Sequence, residues 1–275
     1  DLLTAETLTL DALRAAARRV SDQAIEALEH SGKYLREASV DREDLQQHIG
    51  SFEFGKYGAF VLGGESGIGK STLLARHVER RREAGDVVAF YRASALPTAE
   101  LGPRLLRDLG LTGLYIEDFL AVAASLFRDG ARFWLVIDAV NEFGGDVAEL
   151  VRQIDQLVQQ AAAHDWFRLL VSVRDSAYQR LPADARFGAR GLGRYFTVEI
   201  DQAGQKVRTP LVALGPVAAD HVEALFEAYR NFRQRDPDDP ESPGVHRFRP
   251  KTAFADLPLA GSTRGLLRSP LMARL

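Results

Sequence analysis

Five short apolar runs recur along the chain with little polar alternation inside them: Ala59 to Leu62, Val87 to Tyr91, Phe133 to Ile137, Leu169 to Val173 and Leu211 to Leu214. A strand covered on both faces carries that pattern, because neither face meets water. Between the runs, apolar positions recur at three- and four-residue steps, most clearly at Val147, Leu150, Val151, Ile154, Leu157, Val158 and Ala161. That is the spacing of one helix face. Strand and helix alternate, which predicts crossover connections and an α/β fold with a parallel five-stranded sheet flanked by helices.

The ends of the chain read differently. Leu10, Leu13, Ala17, Val20, Ala24 and Leu28 form one face of an N-terminal packing or linker helix that stops near Gly32. Tyr34 to Ile49 is polar and arginine-bearing, and its second half is helical. Tyr195 to Ile200 and Lys206 to Thr209 flank a Gln202 to Gln205 turn, which predicts a hairpin before the last strand. After Pro216 the pattern turns helical, with Val222, Leu225, Phe226 and Tyr229 on one face. Asp236 to Pro250 carries four prolines and four acidic residues and is expected to be a mobile loop. The expected organisation is a linker helix over 1–33, a nucleotide-binding domain over 34–215 and a truncated small helical domain over 216–275. The Asp1 start and the stop at Leu275 inside a helical pattern suggest a piece of a larger polypeptide.

The chemistry is carried by AFVLGGESGIGKSTLLA, Ala59 to Ala75. Gly64, four residues, then Gly69, Lys70 and Ser71 match the phosphate-binding loop pattern, set between a strand and a helix as that motif requires. In such a loop the backbone N–H groups from Gly64 through Glu65, Ser66, Gly67, Ile68, Gly69 and Thr72 wrap phosphates. Lys70 reaches the outer phosphates and Ser71 holds Mg²⁺. The helix N-terminus adds its own partial positive charge. A nucleoside triphosphate with Mg²⁺ is the expected ligand.

Hydrolysis would need a second Mg²⁺ ligand at a neighbouring strand end and a group that orients water. FWLVIDAVNE, Phe133 to Glu142, supplies both: Asp138 ends an apolar strand where a lone carboxylate is costly, and Glu142 follows four residues later with Asn141 beside it. The next strand ends in Ser172-Val173-Arg174-Asp175, and a cation at the carboxyl edge of a parallel sheet lies where ligands bind. Arg174 is therefore a candidate γ-phosphate sensor, with an Arg174 to Asp175 surface pair as the alternative.

Composition narrows the classes. The net charge is −3 over 275 residues, and Arg80 to Arg82 lack interleaved aromatics, so there is no nucleic-acid signature. Arginine strongly outnumbers lysine, which reads as GC-rich bacterial codon bias. Cysteine is absent and the six histidines lack ligand spacing, which excludes disulfides and thiolate metal sites. No apolar run approaches the ~18 residues of a membrane span, and a cytoplasmic location is expected.

The order of loop, DAVNE strand end and SVRD strand end resembles the STAND class of P-loop ATPases, and within it the NACHT group. Ala139 matches the small residue after the Mg²⁺-binding Asp, Glu142 matches the second acid of the following pair, and Asn141 departs from the first. The resemblance implies ATP and ADP as ligands, slow hydrolysis, and a signalling switch that self-associates in its ATP state, in bacterial defence or signalling. It also implies effector and sensor domains outside this chain. Tyr34 to Leu45 is similar to the segment that lies against the base in this class, making Tyr34 and Arg36 candidate adenine or ribose contacts. LRSPLMARL, Leu267 to Leu275, resembles the segment whose proline, here Pro270, packs on the nucleotide.

Other classes stay open at this stage. An AAA+-type motor or loader shares the loop and strand order but needs an arginine finger acting in trans, and a small-molecule kinase needs an acceptor site and a lid. A GTPase is disfavoured because no lysine begins a Lys-x-Asp guanine-reading triplet. A nucleotide-binding module without significant turnover is the remaining alternative.

Overall fold

The computed structural model describes residues 8–36, 43–98, 100–196, 210–234 and 245–246. Its elements in chain order are α1 (Leu10–His30), α2 (Glu43–Glu53), β1 (Ala59–Gly63), α3 (Lys70–Glu83), β2 (Val87–Arg92), α4 (Leu101–Asp108), α5 (Ile116–Ala123) and β3 (Phe133–Asp138). Then come α6 (Val147–Gln160), β4 (Phe167–Ser172), α7 (Asp175–Arg180), β5 (Leu211–Ala213), α8 (Val222–Asn231) and the short strands β6 (Arg233–Gln234) and β7 (Val245–His246). The five apolar runs form one parallel sheet in the order β2-β3-β4-β1-β5. The loop-bearing strand β1 thus sits inside the sheet, with β4 between it and β3.

Alternate strand residues feed two cores. Phe60, Leu62, Val88, Phe90, Trp134, Val136 and Leu170 pack under α2 and α3, while Ala59, Val61, Ala89, Leu135, Ile137 and Leu169 pack under α4, α5 and α6. β1, β3 and β4 are therefore buried on both sides along their whole length, and each fully buried Leu or Phe contributes roughly 1.5–3 kcal/mol. Arg168 explains why β4 begins earlier than its apolar run: the guanidinium is buried, donates to the carbonyls of Phe167 (3.0 Å) and Gly55 (3.2 Å), and lies over the Phe52 ring.

Helix α1 runs along the edge strand β2 and belongs to both cores, through Leu13 and Ala17 on one side and Ile25 and Leu28 on the other. Thr9 caps its start by accepting from the Ala12 N–H at 3.2 Å. The buried Ser21 hydroxyl donates to the Val88 carbonyl at 2.7 Å and accepts from the Phe90 N–H at 3.1 Å. One side chain thereby satisfies two of the backbone groups that an edge strand would otherwise leave open.

Past the sheet, α8 joins Val217 and Leu35 in a third, small apolar cluster. The region expected to be a loop contains Val245–His246, which pairs antiparallel with Arg233–Gln234, so a backbone ladder interrupts it. Of the hairpin expected around residues 195–209, all but Tyr195 and Phe196 lies outside the described residues. Phe196 bridges Ala59 in parallel.

Candidate functional site

The glycines shape the loop. Gly64, Gly67 and Gly69 have φ of 146°, 77° and 100°, values that side-chain-bearing residues rarely adopt, and the repeated sign change turns successive N–H groups toward one point. Gly69 is also the N-cap of α3 and offers no side chain to the first-turn N–H groups, which keeps them available to an anion. The Lys70 ammonium folds back over the loop, donating to the carbonyls of Gly64 (2.6 Å) and Glu65 (2.8 Å). Burial pushes Lys70 below its ordinary pKa, opposed by the negative charges of Asp175 and Asp138.

One cleft of about 220 Å³ is lined by Ser66, Gly67, Gly69, Lys70, Ser71, Thr72, Asp138, Ala139, Asn141, Glu142, Arg174 and Lys33. It lies at the carboxyl ends of β1, β3 and β4, where the strand order places Lys70, Asp138 and Arg174 within reach of one ligand. Asp138 is almost fully buried, and its Oδ1 accepts from the Ser172 hydroxyl at 2.6 Å. Burial raises its pKa, and hydrogen bonds from the Ser172 and Ser71 hydroxyls work against that rise. A hydroxyl and a carboxylate side by side are hard oxygen donors, a set that suits Mg²⁺ completed by water and phosphate. Among the described residues no group of three or more acidic, His or Cys side chains could hold a metal alone.

Beyond Asp138 the chain turns sharply. Ala139 has φ 55° and ψ 55°, its N–H donates to Ser172 Oγ at 2.8 Å, and its carbonyl accepts from the Glu142 N–H at 2.7 Å. That short turn brings Asn141 and Glu142 back over the strand end. Asn141 Oδ1 accepts from the Arg174 N–H at 2.8 Å. The Glu142 carboxylate receives Lys33 Nζ at 3.1 and 3.3 Å.

Ile68 and Glu65, expected through their backbone N–H groups, stay in the loop: the Ile68 side chain anchors it in the core beneath, and exposed Glu65 gives its carbonyl to Lys70. Two other expected site residues lie elsewhere. Tyr34 is fully buried and its hydroxyl donates to Glu79 at 2.5 Å, while Arg36 pairs with Glu79 at 2.7 Å and lines a different, highly charged cleft with Glu29 and Arg82. Neither Tyr34 nor Arg36 is among the residues lining the loop cleft. Pro270 lies outside the described residues.

Asp175, read as a possible surface partner of Arg174, turns instead toward the loop. Its N–H approaches the Gly64 carbonyl at 3.4 Å, and a side chain at Gly63 would collide with its Oδ1 and with Leu211. Sequence reasoning missed Lys33, Ser172 and the role of Asp175. Ser172 and Asp175 stand in the strand-end stretch already singled out, but Lys33 gave no signal beyond its place next to Tyr34.

No protein-family model matches the chain, and no curated protein matches it. Among solved structures, Cdc6p from Pyrobaculum aerophilum is similar over 69% of this chain and 49% of that one, at 16% identity and a TM-score of 0.42. A Walker-type ATPase of Pyrococcus abyssi is similar over 71% and 59%, at 15% identity and a TM-score of 0.45. AMPPCP-bound DnaA from Aquifex aeolicus is similar over 72% and 55%, at 16% identity and a TM-score of 0.41. The matches thus span only 49–59% of those three proteins, and likenesses this weak carry no argument about activity. The chain's own parallel order β2-β3-β4-β1-β5, with a glycine-rich loop joining β1 to α3, is the α/β fold of a P-loop protein.

Proposed function

We propose that this chain binds ATP with Mg²⁺ in the loop cleft, hydrolyses it slowly, and serves as a nucleotide-controlled switch. The observation that carries the reading is the convergence of Lys70, Ser71, Asp138, Glu142 and Arg174 on one cleft from three neighbouring strand ends. Loop N–H groups and the start of α3 bind the phosphates, and Lys70 leaves the Gly64 and Glu65 carbonyls for the outer phosphates. Ser71 and Asp138 are the residues that would hold Mg²⁺, which when bound supplies positive charge against the phosphate oxygens. Ser172 orients Asp138 for that task. Glu142 accepts a proton from, and aligns, the attacking water, while Arg174 at the tip of β4 reads the terminal phosphate.

The switch, its self-association in the ATP state and a place in bacterial defence or signalling come from the resemblance to the NACHT group. α8 is the part of the helical region whose packing would change with nucleotide. Effector and sensor domains belong to the same proposal, as does a cytoplasmic location.

A second reading, nucleotide binding without significant turnover, is favoured by one observation: both Glu142 oxygens already face the Lys33 ammonium. Calorimetric titration of the nucleotide-stripped chain with ATP, ADP and GTP in Mg²⁺, beside Lys70→Ala, tests binding; adenine-nucleotide affinity lost in the variant is the expected result. Phosphate release by wild type and Glu142→Gln then separates the two readings. Turnover that is absent, or unchanged in Glu142→Gln, would remove the hydrolytic role.

A further inference from the structure

Lys33 stands where three parts of the molecule meet. Its ammonium contacts both oxygens of Glu142, at 3.1 and 3.3 Å, and its carbonyl accepts from Thr72 Oγ1 at 3.0 Å, just inside the loop helix. The next residue, Tyr34, is fully buried and donates to Glu79 farther along α3. Arg36 pairs with the same Glu79 and with Glu29 of α1. Between them, Leu35 faces another way and is buried in the cluster formed with Val217, Val222, Leu225 and Tyr229 of α8 and its approach. Residues 33–36 therefore form a strap whose successive side chains are committed to different partners. Lys33 goes to the end of β3, Tyr34 and Arg36 to α3, and Leu35 to the helical region.

A carboxylate that polarises water needs a free oxygen to accept the proton. With an ammonium at both oxygens, Glu142 has neither oxygen free for water and is held toward the strap. We propose that Lys33 is a positioning residue that restrains Glu142, and that the strap ties this restraint to the docking of α8. The proposal rests on the hydrolytic reading of the cleft given above. When α8 shifts, Leu35 moves with it. The Lys33 carbonyl then loses its register on Thr72, and the ammonium withdraws from Glu142. The contact is half exposed, which suits a device that must open and close readily.

The test compares wild type, Lys33→Met, Lys33→Arg, Leu35→Ala, Glu142→Gln and the Lys33→Met/Glu142→Gln double variant in the full chain. Steady-state phosphate release from Mg²⁺-ATP and ATP affinity by calorimetry are both measured. Lys33→Met is expected to raise kcat about two- to fivefold, the span that partly exposed ion pairs command. ATP affinity is read beside it so that the loss of a cation from the cleft is separated from the change in kcat, and Lys33→Arg, which keeps donors for both oxygens, should lie closer to wild type in kcat than Lys33→Met does. Leu35→Ala should raise kcat in the same direction, and the double variant should fall to the rate of Glu142→Gln. A kcat for Lys33→Met at or below wild type overturns the proposal while leaving the hydrolytic reading intact, whereas a raised rate that survives in the double variant overturns both, because turnover then does not pass through Glu142. A wild-type chain that binds no nucleotide defeats that reading first, and this proposal with it.

Discussion

The side-chain carbonyl of Asn141 accepts a 2.8 Å hydrogen bond from the backbone N–H of Arg174, joining the tips of β3 and β4 directly above the cleft. The residue that departs from the acidic pattern of the resembled family thus has a task of its own: it fixes where the chain leaves β4, and so where Arg174 starts.

Asn141→Ala should cost about 0.5–1.5 kcal/mol of stability, the net worth of one such bond. Asn141→Asp keeps the acceptor and should retain most of that stability, although it adds charge beside Asp138 and Glu142. Thermal unfolding of the two variants beside wild type checks the difference. Equal losses would mean that the bond to Arg174 contributes nothing.

Ala139 holds a left-handed conformation in the turn that carries Asn141 and Glu142. A β-branched residue is poorly tolerated there, so Ala139→Val should destabilise by roughly 1–3 kcal/mol. Ala139→Gly should stay close to wild type, because relief of strain offsets the added freedom of the unfolded chain. Denaturant midpoints for the pair measure this.

Ser21→Ala removes a buried hydroxyl that serves two backbone groups of β2. The expected loss is about 1–3 kcal/mol, or roughly 2–4 °C in Tm for each kcal/mol in a chain of this size. Hydrogen exchange should rise at the Phe90 amide before it rises in β1.

Asp155 on α6 is buried, and burial pushes its pKa up to about 7 although the Gly188 N–H, at 3.1 and 3.2 Å from its oxygens, favours the charged form. The folded value lies above the unfolded one, so the folded state binds more protons between the two and its stability falls as pH rises through that window. Asp155→Asn carries no charge and should be more stable than wild type at pH 8, the gap narrowing toward pH 5. A constant gap across that range would show that Asp155 does not titrate as its surroundings imply.

Much of this arrangement was legible in the residues. The five apolar runs located all five sheet strands to within two residues at each end, because strands buried on both faces have no polar alternation to blur them. Loop glycines and the end of β3 were equally readable, since their residue types leave little conformational choice. Arg168 hid the start of β4 because a buried guanidinium looks like a polar boundary in sequence. Lys33 was invisible for another reason: its partner Glu142 is 109 positions away, and nothing local marks a lysine as half of a pair across the fold. Tyr34 shows the converse limit, an aromatic singled out by family resemblance that lies in the core with its hydroxyl on Glu79.

The course of α1 along β2 also sets an order of events during synthesis. Leu13, Leu28 and Ser21 emerge from the ribosome well before Val88 and Phe90, the residues that receive them, and before the loop helix exists. Until then the helix has an apolar face with nowhere to rest, and its docking must close a long loop. α1 is thus made before the strand it rests on and docks only afterwards, and its uncovered apolar face is open to misassociation in that interval.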